Sequence, residues 1–412
     1  MFCTQNITDD IIFVGASDRR LSLFENAFPL PEGITYNSYI ILDEKTILLD
    51  TVDKAVGSVF FENLAHVLDG RKLDYVVINH MEPDHAATLE ELVLRYPEVK
   101  IVGNATTFKL INQFFTFEVE SRKHLVKEGD VLSTGTHSFT FYMAPMVHWP
   151  EVMVTYDTTS KALFSADAFG TFKAFSGNIF ADQVNFERDW LDESRRYYSN
   201  IVGKYGMQTL NLLKKIAEHD IQILCPLHGP IWRQKTTSNV LENRHDISWY
   251  IDKYQKWASY TPEEKTVVIA YASIYGNTEN AAHILATKLA EKGVCNIEMF
   301  DVSVTHPSYI LSAAFRASHI VFASSTYNMG IFATMETLLH DIKDHNLQNR
   351  TVAFIENGSW SPQAGKKMRA LIEPLKNMTI LEPLVSIKSS VKEDVANALD
   401  MLATEIVTSL KS

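Results

Sequence analysis

Tyr75-Val76-Val77-Ile78-Asn79-His80-Met81-Glu82-Pro83-Asp84-His85 is the stretch that decides the reading of the first half of the chain. Its apolar, β-branched start reads as a buried strand. It ends in a hexapeptide with four metal-capable side chains: His80, Glu82, Asp84 and His85. Pro83 disfavours helix at Glu82, so the spacing predicts a loop at the strand's C-terminal end, ahead of a helix over 86–95. In such a loop His80, Glu82 and Asp84 can converge on one point. The bland alternative is a solvated polar loop, because short patterns recur by accident.

The surrounding sequence argues against that alternative. Three more apolar runs end in a possible ligand: Phe139 to His148, Leu163 to Asp167, and Ile223 to His228. A parallel-type sheet gathers the C-terminal ends of its strands on one edge, where ligands usually bind. His80, His148, His228, Glu82, Asp84 and Asp167 would then meet there, with His85 as a second-tier candidate. Helical patterns fall among the runs at 58–68, 106–115 and 191–205. The other ten of the 14 histidines, such as His66, His219 and His345, show no such setting and read as surface or core residues.

The donor set limits the metal. Soft thiolates are missing from the pattern, which excludes copper(I) and iron–sulfur clusters. Imidazole alone would suit zinc. Three imidazoles mixed with three carboxylates suit two hard, redox-active ions such as iron, joined by one carboxylate. Asp167 is the candidate bridge. Trp149, Phe169 and Tyr156 are candidates to line a substrate pocket, against the alternative that they are core.

The second half changes pattern. It reads as strand 266–272, helix 278–292, strands 296–300 and 319–324, helix 332–342, strand 351–356, helix 363–374, strand 384–387 and helix 392–410. Alternating strands and helices imply a parallel sheet. Residues 259–265, polar and containing Pro262, read as a linker. Ser273-Ile274-Tyr275-Gly276-Asn277-Thr278 joins the first strand to its helix. Small residues there let backbone N–H groups surround a phosphate at a helix N-terminus; the alternative is an ordinary helix cap by Asn277 or Thr278. Ser325-Thr326-Tyr327-Asn328 and Asn357-Gly358-Ser359-Trp360 fall at strand ends on the same edge, each with a ring able to cover a flat heterocycle. The pattern fits strand order 2-1-3-4-5, which binds FMN at its switch point. No G-x-G-x-x-G follows the first strand, so a dinucleotide is disfavoured.

Taken together, these motifs carry a resemblance. The first half resembles the metallo-β-lactamase fold, an αββα sandwich whose hydrolases carry H-x-H-x-D-H. Here Glu82 stands at the second His. That replacement, with His148-Trp149-Pro150, Asp167-Ala168-Phe169-Gly170 and Pro226-Leu227-His228-Gly229, resembles the flavodiiron proteins. The second half looks like a flavodoxin domain, a doubly wound parallel sheet. Two departures stand out: Tyr275 where flavodoxins often have Thr, and Ser361-Pro362-Gln363 where flavodiiron proteins usually have further glycines. The resemblance covers nearly the whole chain in the family's order.

The resemblance implies a di-iron domain over 1–258 and an FMN domain over 266–412. His80, Glu82 and His148 would hold one iron, Asp84 and His228 the other, and Asp167 would bridge. The matching His85 binds the second iron in some members and points away in others. The implied activity is reduction of O2 to water, or of NO to N2O, with electrons relayed through FMN from an external donor, a rubredoxin-like protein or another reductase. The implied assembly is a head-to-tail homodimer or a dimer of dimers. A zinc hydrolase fused to a flavodoxin is the rival reading, and Glu82 argues against it. An electron-transfer or redox-sensing flavoprotein is a second rival, against which the intact ligand set argues.

Composition agrees with these readings. The 412 residues suggest two or three domains at about 150 each. Net charge is −12, which argues against a nucleic-acid partner. No apolar run is long enough to span a membrane, and residues 1–6 carry no signal-peptide pattern. The three cysteines, Cys3, Cys225 and Cys295, lie far apart, which fits a reducing, cytoplasmic setting and leaves no CxxC metal module.

Overall fold

The protein is represented by a computed structural model that describes residues 2–234 and 245–411. Two compact units form, Met1–Tyr198 with Met207–Gln255, and Ser199–Gly206 with Lys256–Ser412.

Two large sheets build the first unit, beside two short two-stranded ribbons. One has seven strands in sequential order: β1 (Gln5–Asn6), β2 (Ile11–Phe13), β3 (Tyr39–Ile41), β4 (Ile47–Leu49), β5 (Tyr75–Val77), β6 (Lys100–Gly103) and β7 (Lys123–Leu125). The pairings from β4 to β7 are parallel and the earlier ones antiparallel. The other sheet has six: β8 (Val131–Ser133), β9 (Ser138–Met143), β10 (Met153–Asp157), β11 (Ala162–Phe164), β12 (Ile223–Cys225) and β13 (Trp232–Arg233). Only β11 and β12 run parallel within it. Contacts tie the two sheets face to face. Met153 N donates to Asn79 O at 3.0 Å, and Tyr39 Oη donates to Pro226 O at 2.5 Å. Tyr39 also packs its ring on Phe164 at 5.4 Å. The arrangement is the expected sandwich. The candidate ligands do not share a single parallel edge. His80 follows β5 of one sheet, while His148, Asp167 and His228 follow strands of the other.

Local elements also depart from expectation. The helix expected over 86–95 is split into α1 (Pro83–Ala86) and α2 (Leu89–Arg95). Pro83 occupies the first helical position, where its missing N–H costs nothing. Asp84 and His85 therefore lie on a helical turn, and Glu82 remains extended at φ −58°, ψ 140°. The helix expected over 191–205 is α-helical only as α3 (Leu191–Tyr197) and continues as a π-helical turn over Tyr198–Val202 and a 3-10 turn over Gly203–Tyr205. Ser199–Gly206 packs with the second unit instead: Asn200 Nδ2 donates to Ser308 O at 3.2 Å, and Tyr260 Oη donates to Gly203 O at 2.8 Å.

The second unit is a parallel sheet. Its strands are β14 (Glu264–Ala272), β15 (Ile297–Asp301), β16 (Ala317–Tyr327), β17 (Thr351–Asn357) and β18 (Val385–Ile387), in the order β15-β14-β16-β17-β18. That is the order 2-1-3-4-5. Buried Val267, Ile269, Val321, Ala323 and Ile355 pack with α4 (Asn277–Glu291), whose buried face is Ala281, Ala282, Leu285 and Leu289. A helix absent from the sequence reading, Pro307–Arg316, fills the crossover from β15 to β16. Its signals were Pro307 at the first helical position and the need of parallel strands for a long crossover.

The expected linker is not a free connector. Tyr260 is buried. The buried Arg350 explains this, because its guanidinium needs acceptors. It donates to Ala314 O and Phe315 O at the helix end, to Gln348 O, and to Tyr260 O at 2.7 Å. Asn349 Nδ2 adds a bond to Ser259 O.

Candidate metal centre and cofactor cleft

His80, Glu82, His148 and Asp167 offer ligand atoms within 4.8 Å of one another, and Asp84, His85 and His228 form a second such group. All seven residues are buried. In the first group, His80 Nε2 lies 3.2 Å from Glu82 Oε2 and 3.1 Å from Asp167 Oδ2, and His148 Nε2 lies 3.0 and 3.2 Å from the same two atoms. In the second, Asp84 Oδ2 lies 3.2 Å from both His85 Nε2 and His228 Nε2. Asp167 Oδ1 faces this second group, 3.3 Å from His85 Nε2 and 3.6 Å from His228 Nε2. One carboxylate thus presents one oxygen to each group.

Backbone devices hold these side chains in place. Asp50 accepts Asn79 N at 2.7 Å and His80 N at 3.1 Å, which anchors the end of β5. Leu227 N donates to Ala166 O at 3.0 Å, joining the loops that carry His228 and Asp167. Gly229, at φ +77°, closes the His228 loop against Thr171. A Cβ there would sit 1.9 Å from Thr171 Cγ2, so only glycine fits.

The donors suit cations. Both oxygens of Asp84 and of Asp167 lack a well-aligned hydrogen bond although they are buried and crowded by imidazole nitrogens. The ligand atoms of each group crowd within 4.8 Å of one another, two imidazole nitrogens of the second group standing 3.0 Å apart, which is the geometry of ligands around an ion. Electrostatics agree. Burial would raise the Asp167 carboxyl, yet His80 and the other imidazoles hold it well below the carboxylate range. Burial would lower His148, but its bonds to Asp167 and Glu82 push it up to about 9. The carboxylates impose a demand for positive charge that metal ions meet.

Some nearby residues gave no sequence signal. Glu151 Oε1 lies 2.8 Å from His80 Nδ1, and His228 Nδ1 lies 2.6 Å from Thr35 O. The Tyr197 ring sits 5.4 Å from His228, and its buried hydroxyl has no hydrogen-bond partner. Burial, then the charges of Asp167 and Asp84, push that phenol well above its ordinary range. Of the aromatic candidates, Trp149 packs edge-on to His80 at 5.4 Å. Phe169 is core, 4.3 Å from Tyr254. Tyr156 points elsewhere: its hydroxyl donates to Asp220 O at 2.9 Å and its ring lies on His219, because alternate residues of a strand face opposite sides.

The second unit carries a cleft of 430 Å³ at the C-terminal ends of its strands. Its walls include Ser273, Ile274, Tyr275, Asn277, Thr278, Ser325, Thr326, Tyr327, Asn328, Asn357, Gly358, Ser359 and Trp360. Met329, Ser361 and Ser389 join them, which the sequence reading did not include. Gly276 does not line it; at φ +83° it shapes the turn into α4. Thr326 Oγ1 is already occupied, accepting Gln363 N and Ala364 N. Ser273 Oγ is buried without a partner, as a phosphate-loop hydroxyl awaiting its anion would be. Tyr275 and Trp360 are 91% and 88% exposed, large rings left bare at the cleft rather than packed, as covers for a flat heterocycle would be.

Comparisons with known proteins agree with both sites. A family model described as ODP family beta lactamase matches residues 34–229, and a flavodoxin model matches 269–399. The rubredoxin-oxygen oxidoreductase of Megalodesulfovibrio gigas is 32% identical over 93% of this chain and 91% of its own. A nitric oxide reductase of Moorella thermoacetica is 31% identical over 92% and 91%. Among solved structures, the rubredoxin oxygen:oxidoreductase of Desulfovibrio gigas superposes with a TM-score of 0.89 at 30% identity, covering 99% of this chain and 98% of that one. A flavo di-iron protein variant from Thermotoga maritima superposes with a TM-score of 0.88 at 25% identity and the same coverage.

Proposed function

The chain belongs to the flavodiiron protein family, and on that premise we propose that it reduces O2 to water, or NO to N2O, at a di-iron centre supplied with electrons through FMN. The observation that carries this reading is Asp167, whose two oxygens are shared between two buried groups of His and carboxylate donors. When bound, the irons and the FMN would supply the redox chemistry, the flavin being able to accept and pass on electrons one at a time. The net reactions balance as O2 + 4 e⁻ + 4 H⁺ → 2 H2O and 2 NO + 2 e⁻ + 2 H⁺ → N2O + H2O.

The chain's own residues do the rest. His80, Glu82 and His148 would hold one iron, Asp84 and His228 the other with His85 beside it, and Asp167, with one oxygen toward each group, would be shared by the two. The three carboxylates offset the charge of the two cations inside a buried site, where leaving it unbalanced would be costly. Burial of all seven side chains limits water at the centre. In the second unit, the loop from Ser273 to Thr278 would receive the phosphate, and Tyr275, Tyr327 and Trp360, which line the cleft, would border the flavin ring. We assign residues 1–258 to the di-iron domain and 266–412 to the FMN domain.

We also infer the partners and setting. The donor is an external protein, rubredoxin-like or another reductase, as the name of one relative indicates for that relative. Two copies pair head to tail, alone or as a dimer of dimers, so that the flavin of one chain serves the irons of the other. The net charge of −12 argues against a nucleic-acid partner, and no helix among the described residues is long and apolar enough to cross a membrane. The three free cysteines fit the cytoplasm.

Metal analysis and a pair of electrode traces test the reading. Protein made with iron should contain two irons per chain and little zinc, and with a reduced donor it should consume O2, NO or both. Stoichiometric zinc without iron would turn the assignment to a hydrolase.

A further inference from the structure

The three imidazoles whose outer nitrogens are accounted for have unequal support. His80 Nδ1 lies 2.8 Å from Glu151 Oε1, and both residues are buried. With His80 Nε2 given to the ion of the first group, among Glu82 and Asp167, the proton of the neutral ring would sit on Nδ1 and be donated to the Glu151 carboxylate. His228 Nδ1 donates to a neutral acceptor, Thr35 O, at 2.6 Å. His85 Nδ1 is buried with no partner. An anion therefore stands behind an imidazole of the first group only.

Glu151 is held firmly for this task. The same Oε1 accepts Met81 N at 2.8 Å, tying the carboxylate to the ligand loop itself. Its own carbonyl accepts Asn104 Nδ2 at 2.5 Å. Asn104 Oδ1 in turn caps the helix Ala105–Phe114 through Thr106 N and Thr107 N. A helix cap thus fixes the backbone that carries Glu151, and Glu151 fixes the ring of His80.

We propose that Glu151 is a positioning residue that makes the two metal positions unequal, so that the site of His80, Glu82 and His148 holds its ion more tightly than the site of Asp84, His85 and His228. A carboxylate accepting the outer N–H makes an imidazole a stronger electron donor to the metal, and it also locks the ring's orientation. A backbone carbonyl does this more weakly, and an unpartnered nitrogen does not do it. The inference rests on the reading that each group holds one ion.

Cobalt(II) titration of the full-length, metal-depleted, FMN-bearing protein tests this, followed by visible absorption and counted by elemental analysis. Wild type should bind two cobalt ions in separate steps. Glu151→Gln, which keeps the shape and removes the charge, should weaken the tighter step about 10–100-fold and leave the weaker step in place. Asp84→Asn should lose the weaker step and keep the tighter. Two equal steps in wild type would overturn the proposal, as would an unchanged or uniformly weakened Glu151→Gln titration. If circular dichroism shows that Glu151→Gln does not fold, the Asp84→Asn titration decides: survival of only the weaker step refutes the assignment. Fewer than two cobalt ions in wild type would instead count against the two-metal reading itself.

Discussion

Asp167 and His85 meet across the second ligand group, with Oδ1 of the one 3.3 Å from Nε2 of the other, while Oδ2 of the same aspartate lies 3.1 Å from His80 in the first group. A single side chain therefore couples both positions. Asp167→Asn puts a neutral amide in place of the shared carboxylate, a poorer ligand for a hard cation. Both irons should be lost together. Asp84→Asn should cost the second iron first. Iron counted per chain after desalting against a mild chelator separates the two patterns; an Asp167→Asn protein that keeps one full iron would contradict bridging.

Ser273 carries a buried hydroxyl without a partner at the cleft of the second unit. Replacing it with tryptophan fills the loop that would receive a phosphate. Ser273→Trp should purify with little yellow colour yet retain iron, because the ligands lie in the other unit. Denatured wild type should release FMN on chromatography. Release of FAD, or full flavin retention by Ser273→Trp, would go against the assignment of this cleft.

His137 sits between two carboxylates outside the ligand groups, with Nδ1 2.7 Å from Asp157 Oδ2 and Nε2 2.9 Å from Asp10 Oδ2. The bond to Asp157, opposed by burial and aided by Asp10, raises its pKa to about 9 from 6.5. The folded value lies above the unfolded one. The stability it adds is therefore complete below about pH 6.5 and disappears as pH climbs through about 9. His137→Gln should lower stability at pH 6 by about 2 kcal/mol, in the range of a hydrogen bond to a charged group. The gap between variant and wild type should narrow by pH 10. Urea midpoints at pH 6, 8 and 10 show whether the gap closes.

Transfer between chains can be examined by mixing. One variant lacks iron (His80→Asn with Asp84→Asn) and the other lacks FMN (Ser273→Trp). In a head-to-tail pair, the intact flavin of the first faces the intact irons of the second, so gas consumption should return after subunit exchange. Mixed dimers verified by mass, yet inactive with O2 and NO, would rule out service between chains.

The sequence by itself determined the chemistry on offer. Strand runs closing in His80, His148, Asp167 and His228, and the loops at 273–278, 325–328 and 357–360, are legible because strand pattern and turn residues depend on near neighbours. The parallel sheet of the second unit is likewise readable from alternation, while its strand order is only one of those the pattern fits. Only the tertiary structure decided how those residues meet. His80 and Glu151 are separated by 71 positions and His228 and Thr35 by 193, so no local signal could pair them. The ligand groups close across two facing sheets rather than along one edge, because sheet pairing and not strand pattern sets which loops converge. The division of Asp167 between two groups, the turn of His85 toward the second, and the departure of Tyr156 toward Asp220 are all consequences of packing. So is the burial of Tyr260 by Arg350, where a polar linker pattern yielded to a buried cation's need for carbonyl oxygens.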